Sequence, residues 1–284
     1  LDFTLENPLE SAQLEARLDL AKVPFLEADG QLQALLQTRT GPDGQPLVTA
    51  DLQGSDIALW DSTLQTVSAR LELLGSEATV RSLDIHSAAG SSLTLSGGYH
   101  LQDKRFLESQ LELQLENESQ RLRDLLPALE WQALKADFTL AGALTDPQLA
   151  GTLAVDTLKH ASTAPFSLTA ALDGTLSALR ADLHAATGAE TLDLALTLAR
   201  GPEQTKIELS QLALAQSSGA PILSLAETSE VTLSPSPLRI ASPGLALTGP
   251  NGQQLELSSF LLSDSQLELH ATAIDFDTDI FNGW

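Results

Sequence analysis

Histidine and carboxylate side chains are the groups of this chain that could bind a metal ion or transfer protons. The five His residues are dispersed, no two of them stand in a His-x-x-x-His spacing, and there is no Cys, so the sequence indicates no zinc site. Asp275, Asp277 and Asp279 alternate, as they would on one face of a strand. Ile280 stands where an EF-hand loop needs Gly, so we interpret these carboxylates as a solvated face, with weak calcium binding as the alternative.

Catalytic motifs and basic patches are also missing from the sequence. It has no Gly-x-Ser-x-Gly segment and no phosphate-binding loop, so we expect no enzyme and no cofactor. Asp and Glu total 38 against 15 Lys and Arg, and the resulting net charge of -23 argues against nucleic acid and against a polybasic membrane contact. No apolar run reaches the roughly 18 residues of a membrane helix.

The hydrophobic residues alternate with polar or small ones along most of the chain. Leu accounts for 59 residues and Ala for 37, a composition that favours helices, whereas Ile and Val together account for 13. The spacing nevertheless has a period of two, as in Leu192, Leu194, Leu196 and Leu198. On a helix these residues would scatter around the axis, whereas on a strand they form one apolar face. The pattern therefore predicts about 18 to 20 strands.

Glycine and proline mark the predicted turns between these strands. The segments 41–45 and 249–253 are two versions of one hairpin turn, with Gly-Pro followed by Asp or Asn and then Gly-Gln. Gly97-Gly98, Asp173-Gly174 and Gly201-Pro202 are predicted as further turns. Three prolines close together predict short or edge strands in their neighbourhood: Pro235, Pro237 and Pro243.

Residues 119–126 interrupt the alternation. Leu122, Leu125 and Leu126 have helical spacing, Ser119 can cap the start, and Pro127 should end the helix, so a short helix is predicted there. Its apolar stripe favours core packing, with a movable lid or partner helix as the alternative. The strand pattern is alike on both sides, so we expect one elongated segment over 1–284, in which a sub-boundary would fall near 118–134.

About 20 strands exceed what one open sheet usually holds, so the sheet must split or curl. Three architectures satisfy this requirement: two β-sandwiches, a solenoid with a filled core, or a long sheet curled into a trough. Aromatic residues are 4% of the chain, and the β-branched aliphatic residues Ile and Val are also few, although sandwich cores normally draw on both. The composition thus favours an all-β fold in which a long, curled, mostly antiparallel sheet forms an elongated groove with an apolar interior.

Two stretches of the sequence resemble the TamB family, the translocation and assembly module proteins of Gram-negative envelopes. The first is the Leu-rich segment 121–129 that contains Pro127, followed by Leu-x-Gly-x-Leu and Pro-x-Leu-x-Gly-x-Leu motifs over 134–153. The second runs from Pro237 through the turn 249–252 to Leu257 and resumes at 265–273. These features cover less than half of the chain, and the first ~110 residues are similar only in general character.

The resemblance implies a conduit without catalytic residues. TamB-like proteins, like the related AsmA-like and bridge-like lipid-transfer proteins, form β-grooves. TamB-like members are anchored in the inner membrane and cross the periplasm. They are linked to phospholipid movement and, with a TamA-like barrel partner, to outer-membrane protein assembly. We therefore expect a periplasmic piece of a longer protein, as the start at Leu1 and the lack of Met also suggest. The expected partners are phospholipid acyl chains and that barrel, not nucleic acid.

The expected groove lining consists of apolar residues from the alternating runs: Leu14, Leu18, Leu20, Leu93, Leu95, Leu111, Leu113, Leu115, Phe138, Leu140, Leu192, Leu194, Leu196, Leu198, Leu255, Leu257, Leu267 and Leu269. The same alternation would serve a closed core equally well. A structural or interaction rod, built as an adhesin-like solenoid or sandwich with a filled core, is thus the second hypothesis. An enzyme is the third, and no constellation of residues favours it.

Overall fold

The computed structural model describes residues 2–4, 11–22, 28–59, 62–117, 129–160, 164–201, 204–235, 238–263 and 266–275. These residues form antiparallel strands with two single 3-10 turns, Leu20–Lys22 and Pro42–Gly44, and contain no α-helix. The all-β prediction is therefore confirmed. The helix predicted at 119–126 lies outside the described residues. The chain divides into two compact units, residues 1–148 and residues 149–284, and each is described by itself below.

Unit 1 is an antiparallel sheet whose strands are joined mostly by tight turns. From β1 to β8 each strand pairs with the next in the chain, and β10 pairs with β8. The strands described in this unit are β1 (Asp2–Thr4), β2 (Ser11–Asp19), β3 (Ala28–Thr40), β4 (Pro46–Leu59), β5 (Ser62–Leu74), β6 (Glu77–Ser87), β7 (Ser92–His100), β8 (Arg105–Glu116), β9 (Leu129–Glu130) and β10 (Ala133–Ala143).

Unit 2 is also antiparallel, but two of its strand positions are broken in the middle. Its strands are β11 (Gln148–His160, which starts at the last residue of unit 1), β12 (Phe166–Thr175), β13 (Ala178–Ala186), β14 (Glu190–Arg200), β15 (Thr205–Gln216), β16 (Pro221–Leu225), β17 (Ser229–Pro235), β18 (Leu238–Ser242), β19 (Leu245–Thr248), β20 (Gln254–Ser263) and β21 (Gln266–Ile274). Because β15 pairs with both β16 and β17, these two act as one interrupted strand, and β18 and β19 do the same beside β20.

The two predicted Gly-Pro hairpin turns are confirmed. In the first, the Gly41 N–H donates to the Gln45 carbonyl at 2.7 Å, and in the second the Gly249 N–H donates to the Gln253 carbonyl at 2.8 Å. The second Gly of each turn has positive φ, 73° at Gly44 and 84° at Gly252, which a residue with a side chain rarely adopts. Each turn joins two strands that pair with each other.

The other turn predictions differ in outcome. Gly97-Gly98 is not a turn, because both residues lie inside β7. The turn predicted at Asp173-Gly174 falls three residues later, at 176–177, and β12 continues through Gly174. Gly201 begins a turn in which its N–H donates to the Gln204 carbonyl at 2.8 Å, and Pro202 lies outside the described residues. The short strands predicted near the three prolines are confirmed, at seven, five and four residues for β17, β18 and β19.

A line of β-bulges crosses unit 1. Register shifts occur at the same level in four successive ladders, between β5 and β6, β6 and β7, β7 and β8, and β8 and β10. Gly97 lies on this line, where its φ of 145° and the absence of a Cβ let Ser109 approach. A bulge bends its strand, so bulges aligned across neighbouring strands curve the sheet at that level.

Unit 2 has a comparable line made of breaks and bulges, at which serine hydroxyls bond to the carbonyl groups of neighbouring strands. The Ser210 hydroxyl donates to the Ala195 carbonyl at 3.2 Å, and the Ser229 hydroxyl donates to the Gly244 carbonyl. The register shifts beside Ser210 and again between Leu257 and Ser259. These serine hydroxyls therefore supply hydrogen bonds to main-chain carbonyl groups where the ladder is disturbed.

A candidate apolar binding face

One face of the unit 1 sheet is apolar across eight neighbouring strands, β2 to β8 and β10. The register follows directly from strand to strand: Leu14 lies opposite Leu36, Leu36 opposite Ala50, and Ala50 opposite Leu71. On the far side of the bulge line the same face continues through Leu95, Leu111 and Phe138, each opposite the next. Leu or Ala at alternate positions explains this face, because side chains directly opposite each other in a ladder point to the same side of the sheet.

Seven of the predicted lining residues come together on β7, β8 and β10 of this face. Leu93 lies opposite Leu113, Leu95 opposite Leu111, and Leu111 opposite Phe138. The set is Leu93, Leu95, Leu111, Leu113, Leu115, Phe138 and Leu140, and all are half-buried. A residue in a closed core is normally almost fully buried, so this burial indicates a face that is only partly covered.

Of the three groove-lining residues predicted at the start of the chain, two lie on the apolar face and one does not. Leu14 and Leu18 lie on the apolar face of β2, and the Leu18 side chain is 47% exposed. Leu20 does not continue the alternation, because β2 ends at Asp19 and Leu20 belongs to the 3-10 turn, where it is buried.

A pocket of about 540 Å³ lies on the apolar face at the bulge line, and its wall is almost entirely apolar. Tyr99 and Phe106 form one side, with their ring centroids 5.4 Å apart in an edge-to-face arrangement. Of the predicted lining residues only Leu95 and Leu140 contribute to it. The others that line it are mostly on β4 to β8 and include Val48, Ala50, Leu71, Ala78 and Val80. The apolar face of unit 1 is therefore concave at this position.

In unit 2 the corresponding side chains are closely packed. Leu214, Leu223 and Leu247 form a buried cluster, and Leu223 is only 3% exposed. Leu192 and Leu255 from the predicted set pack against it. Leu194, Leu196, Leu198 and Leu257 are half-buried on the same face, and the side chains of Leu267 and Leu269 lie outside the described residues.

The opposite face of each sheet carries pairs of polar and charged side chains. Across strands, His184 Nδ1 lies 2.6 Å from Asp193 Oδ1, Lys206 Nζ lies 3.2 Å from Glu230 Oε1, and along β13 Arg180 Nε lies 3.0 Å from Asp182 Oδ2. The hydrogen bond and charge of Asp182 raise the pKa of Arg180 above its ordinary value. Glu112 and Glu268 are exposed. Side chains with these charges are strongly hydrated, so this face is the one in contact with water.

Asp19 and Lys22 form an ion pair across the 3-10 turn after β2, and the pKa of Asp19 reports whether this pair forms. Lys22 Nζ lies 2.8 Å from Asp19 Oδ2, and this hydrogen bond lowers the pKa of Asp19 from its ordinary 3.8. A carboxylate with a lowered folded-state pKa stabilises the fold above its unfolded pKa and loses that contribution as pH falls through the folded value. We expect Lys22→Gln to raise the Asp19 titration midpoint measured by NMR. An unchanged midpoint would show that the ion pair does not form in solution.

A second pocket, of about 450 Å³, was not predicted from the sequence. It lies in unit 2 and includes Thr152, Thr169, His184, Asp193 and Gln211, so its wall is more polar than that of the first pocket. Among the described residues, no three His, Asp or Glu side chains are grouped closely enough to hold a metal ion. The described part of the chain contains no helix with the length and hydropathy needed to cross a membrane.

Comparison with known proteins adds no assignment: no protein-family model, curated protein or solved structure matches the chain. These comparisons neither support nor contradict the resemblance to TamB-like proteins.

Most residues that line the pocket of unit 1 are absent from the predicted groove lining, because they lie in segments where Leu does not recur at every second position. Ala50, Val80, Tyr99 and Phe106 were not in the predicted lining. A usable signal was present in the sequence, because a Gly pair inside an alternating run is typical of a bulge or a close backbone approach as well as of a turn.

Proposed function

We propose that this chain is a non-catalytic, lipid-sheltering segment whose apolar face holds acyl chains away from water. The observation that carries the proposal is the unit 1 face: it is apolar across eight paired strands, its Leu and Phe side chains on β7, β8 and β10 are half-buried, and it contains an apolar pocket of about 540 Å³. Away from the bulge line the backbone polar groups are engaged in the ladders, so this surface offers a ligand little besides carbon.

The energetic gain from such a face is large for lipids. Each CH₂ group removed from water contributes about 0.8 kcal/mol, so two 16-carbon chains carry roughly 25 kcal/mol of transfer free energy. A surface that covers even part of the chains lowers the barrier to crossing water. Smooth Leu and Ala side chains supply this shelter without the shaped polar contacts that would hold one molecule tightly.

The resemblance to TamB-like proteins extends the proposal to a cellular setting. On this proposal the chain belongs to an inner-membrane-anchored periplasmic protein that shelters phospholipid acyl chains between the two membranes and acts with a TamA-like barrel in outer-membrane biogenesis. The acidic opposite face, with its paired and exposed charges, supports the expectation that this face contacts water.

Photo-crosslinking tests the proposal directly. A photoreactive amino acid at Leu113, Leu140 or Leu194 should capture phospholipid in cells, because these positions lie on the apolar faces. The matched positions Glu112, Asp193 and Glu268 lie on the opposite faces and should capture little. Equal capture from both sets, or capture from neither, would overturn the proposal.

The second candidate function is a structural rod with a filled core, and the buried cluster of Leu214, Leu223 and Leu247 favours it for unit 2. If the whole chain were such a rod, protein purified gently and measured by native mass spectrometry would be free of lipid. Co-purified phospholipid would favour the lipid-sheltering function.

A further inference from the structure

We infer that the pocket at the bulge line of unit 1 is a discrete binding site for one hydrocarbon chain of up to about 20 carbons, rather than an undifferentiated part of a smooth path. The inference rests on the proposed lipid-sheltering function. It adds the position of the binding site on the sheet and the length of the hydrocarbon chain that the site can hold. The supporting observations are the volume of the pocket, the composition of its wall and the backbone feature that creates it.

The volume of the pocket suits a single chain. An engineered cavity of about 150 Å³ holds benzene, so each ligand carbon needs about 25 Å³. At about 540 Å³ the pocket therefore accommodates roughly 20 carbons, which is one long acyl chain and too little for two.

The wall of the pocket admits hydrocarbon and little else. Val48, Leu71, Val80 and Leu95 contribute branched aliphatic side chains, and polar atoms form only a very small part of the lining. A polar ligand group placed there would lose its hydrogen bonds to water without replacement, which costs several kcal/mol. A flexible unbranched chain meets no such penalty, and its polar end can remain in water because the pocket is open on one side.

The bulge line defines where the pocket lies. Register shifts in four successive ladders bend β5 to β8 and β10 at one level, and the pocket lies at this level. Tyr99 and Phe106 flank the β7–β8 shift, and their edge-to-face rings limit the pocket on that side. The apolar face of β2, by contrast, contributes no residue to the pocket.

A chain-length series on the complete 284-residue chain tests the inference. The ligands are unbranched fatty acids of 10 to 24 carbons, measured below their micelle concentrations by displacement of a fluorescent fatty acid. We expect affinity to rise about fourfold for each added CH₂ and then to level off near 20 carbons. Lysophospholipids with the same chains should level off at the same length, because the head group stays outside. A plateau that moves with the head group, or no plateau at all, would overturn the inference.

Matched substitutions locate the site. Ala78 lines the pocket, so Ala78→Trp should weaken binding of the 18-carbon acid at least tenfold. Ala16, half-buried on the same apolar face but outside the pocket, is the control, and Ala16→Trp should change binding less than twofold. If Ala78→Trp and Ala16→Trp weaken fatty-acid binding equally, the inference of a discrete site is wrong. If Ala78→Trp does not fold, the chain-length series on the unsubstituted protein decides whether the discrete site exists.

Failure of this inference can be distinguished from failure of the proposed function. Lipid capture at Leu113, Leu140 and Leu194 without a chain-length plateau would leave the sheltering function standing and remove the discrete site. No capture at those positions together with no fatty-acid binding would overturn both.

Discussion

Leu223→Asp should unfold unit 2, whereas Leu113→Asp should leave unit 1 folded. Leu223 is 3% exposed within the cluster of Leu214 and Leu247, so a carboxylate there would be buried without a partner, at a cost of several kcal/mol. Leu113 is half-buried on the apolar face of unit 1, where a carboxylate can keep contact with water. Urea unfolding followed by circular dichroism, and by tryptophan fluorescence in variants that keep a single tryptophan in the unit under test, measures the two effects.

Alanine substitutions at the same positions serve as the control for side-chain size. Leu223→Ala should lower the free energy of unfolding by about 2 to 5 kcal/mol, because it leaves a cavity in a packed cluster, and Leu113→Ala should cost clearly less. Leu113→Asp should also abolish lipid capture by a crosslinker at Leu140, since the charge lies on the same patch. If Leu113→Asp unfolds unit 1 as completely as Leu223→Asp unfolds unit 2, the face of unit 1 is a closed core and the lipid-sheltering proposal is wrong.

The strands were predictable because their period is local information. Leu192 to Leu198 alternate, and the structure places them on one face of β14 opposite the alternating residues of β13 and β15. The turns at 41–45 and 249–253 were predictable for the same reason: Gly at positive φ and Pro at fixed φ determine the chain path within five residues. The helical propensity of Leu and Ala was overridden because ladder pairing and burial of one face dominate in this context.

The difference between an open and a closed apolar face was not predictable from that period. Leu113 and Leu214 both stand in alternating runs, yet one is half-buried and the other is 5% exposed. The difference depends on which strands face each other and where they are broken, as with β16 and β19 beside Leu214. These are long-range features, and no local pattern around either leucine specifies them.

Gly97→Ala should destabilise unit 1 and eliminate the hydrocarbon pocket. Gly97 has φ 145°, which a residue with a Cβ rarely adopts, and a Cβ at this position would lie 2.5 Å from the Cα of Ser109 in the neighbouring strand. Because the obstruction is backbone, a rotamer change of the Ser109 side chain cannot remove it. We expect a loss of at least about 2 kcal/mol in the free energy of unfolding. Urea unfolding gives this loss, and fluorescent fatty-acid binding reports the pocket.

Gly98→Ala provides a matched control one residue away. Its φ is not positive, and a Cβ there would lie 2.8 Å from Cδ1 of Leu107, which can rotate away, and 3.2 Å from Cβ of Leu107, which must shift by a few tenths of an ångström. Gly98 also lines the pocket, but Gly98→Ala introduces no backbone clash, so it should cost clearly less stability than Gly97→Ala and weaken fatty-acid binding less. If the two alanines behave alike, the bulge at Gly97 does not shape the pocket. Suppose instead that Gly97→Ala folds normally and binds an 18-carbon acid as tightly as the unsubstituted chain. The pocket would then not depend on the bulge at Gly97, and the proposed link between the aligned bulges and the binding site would be wrong.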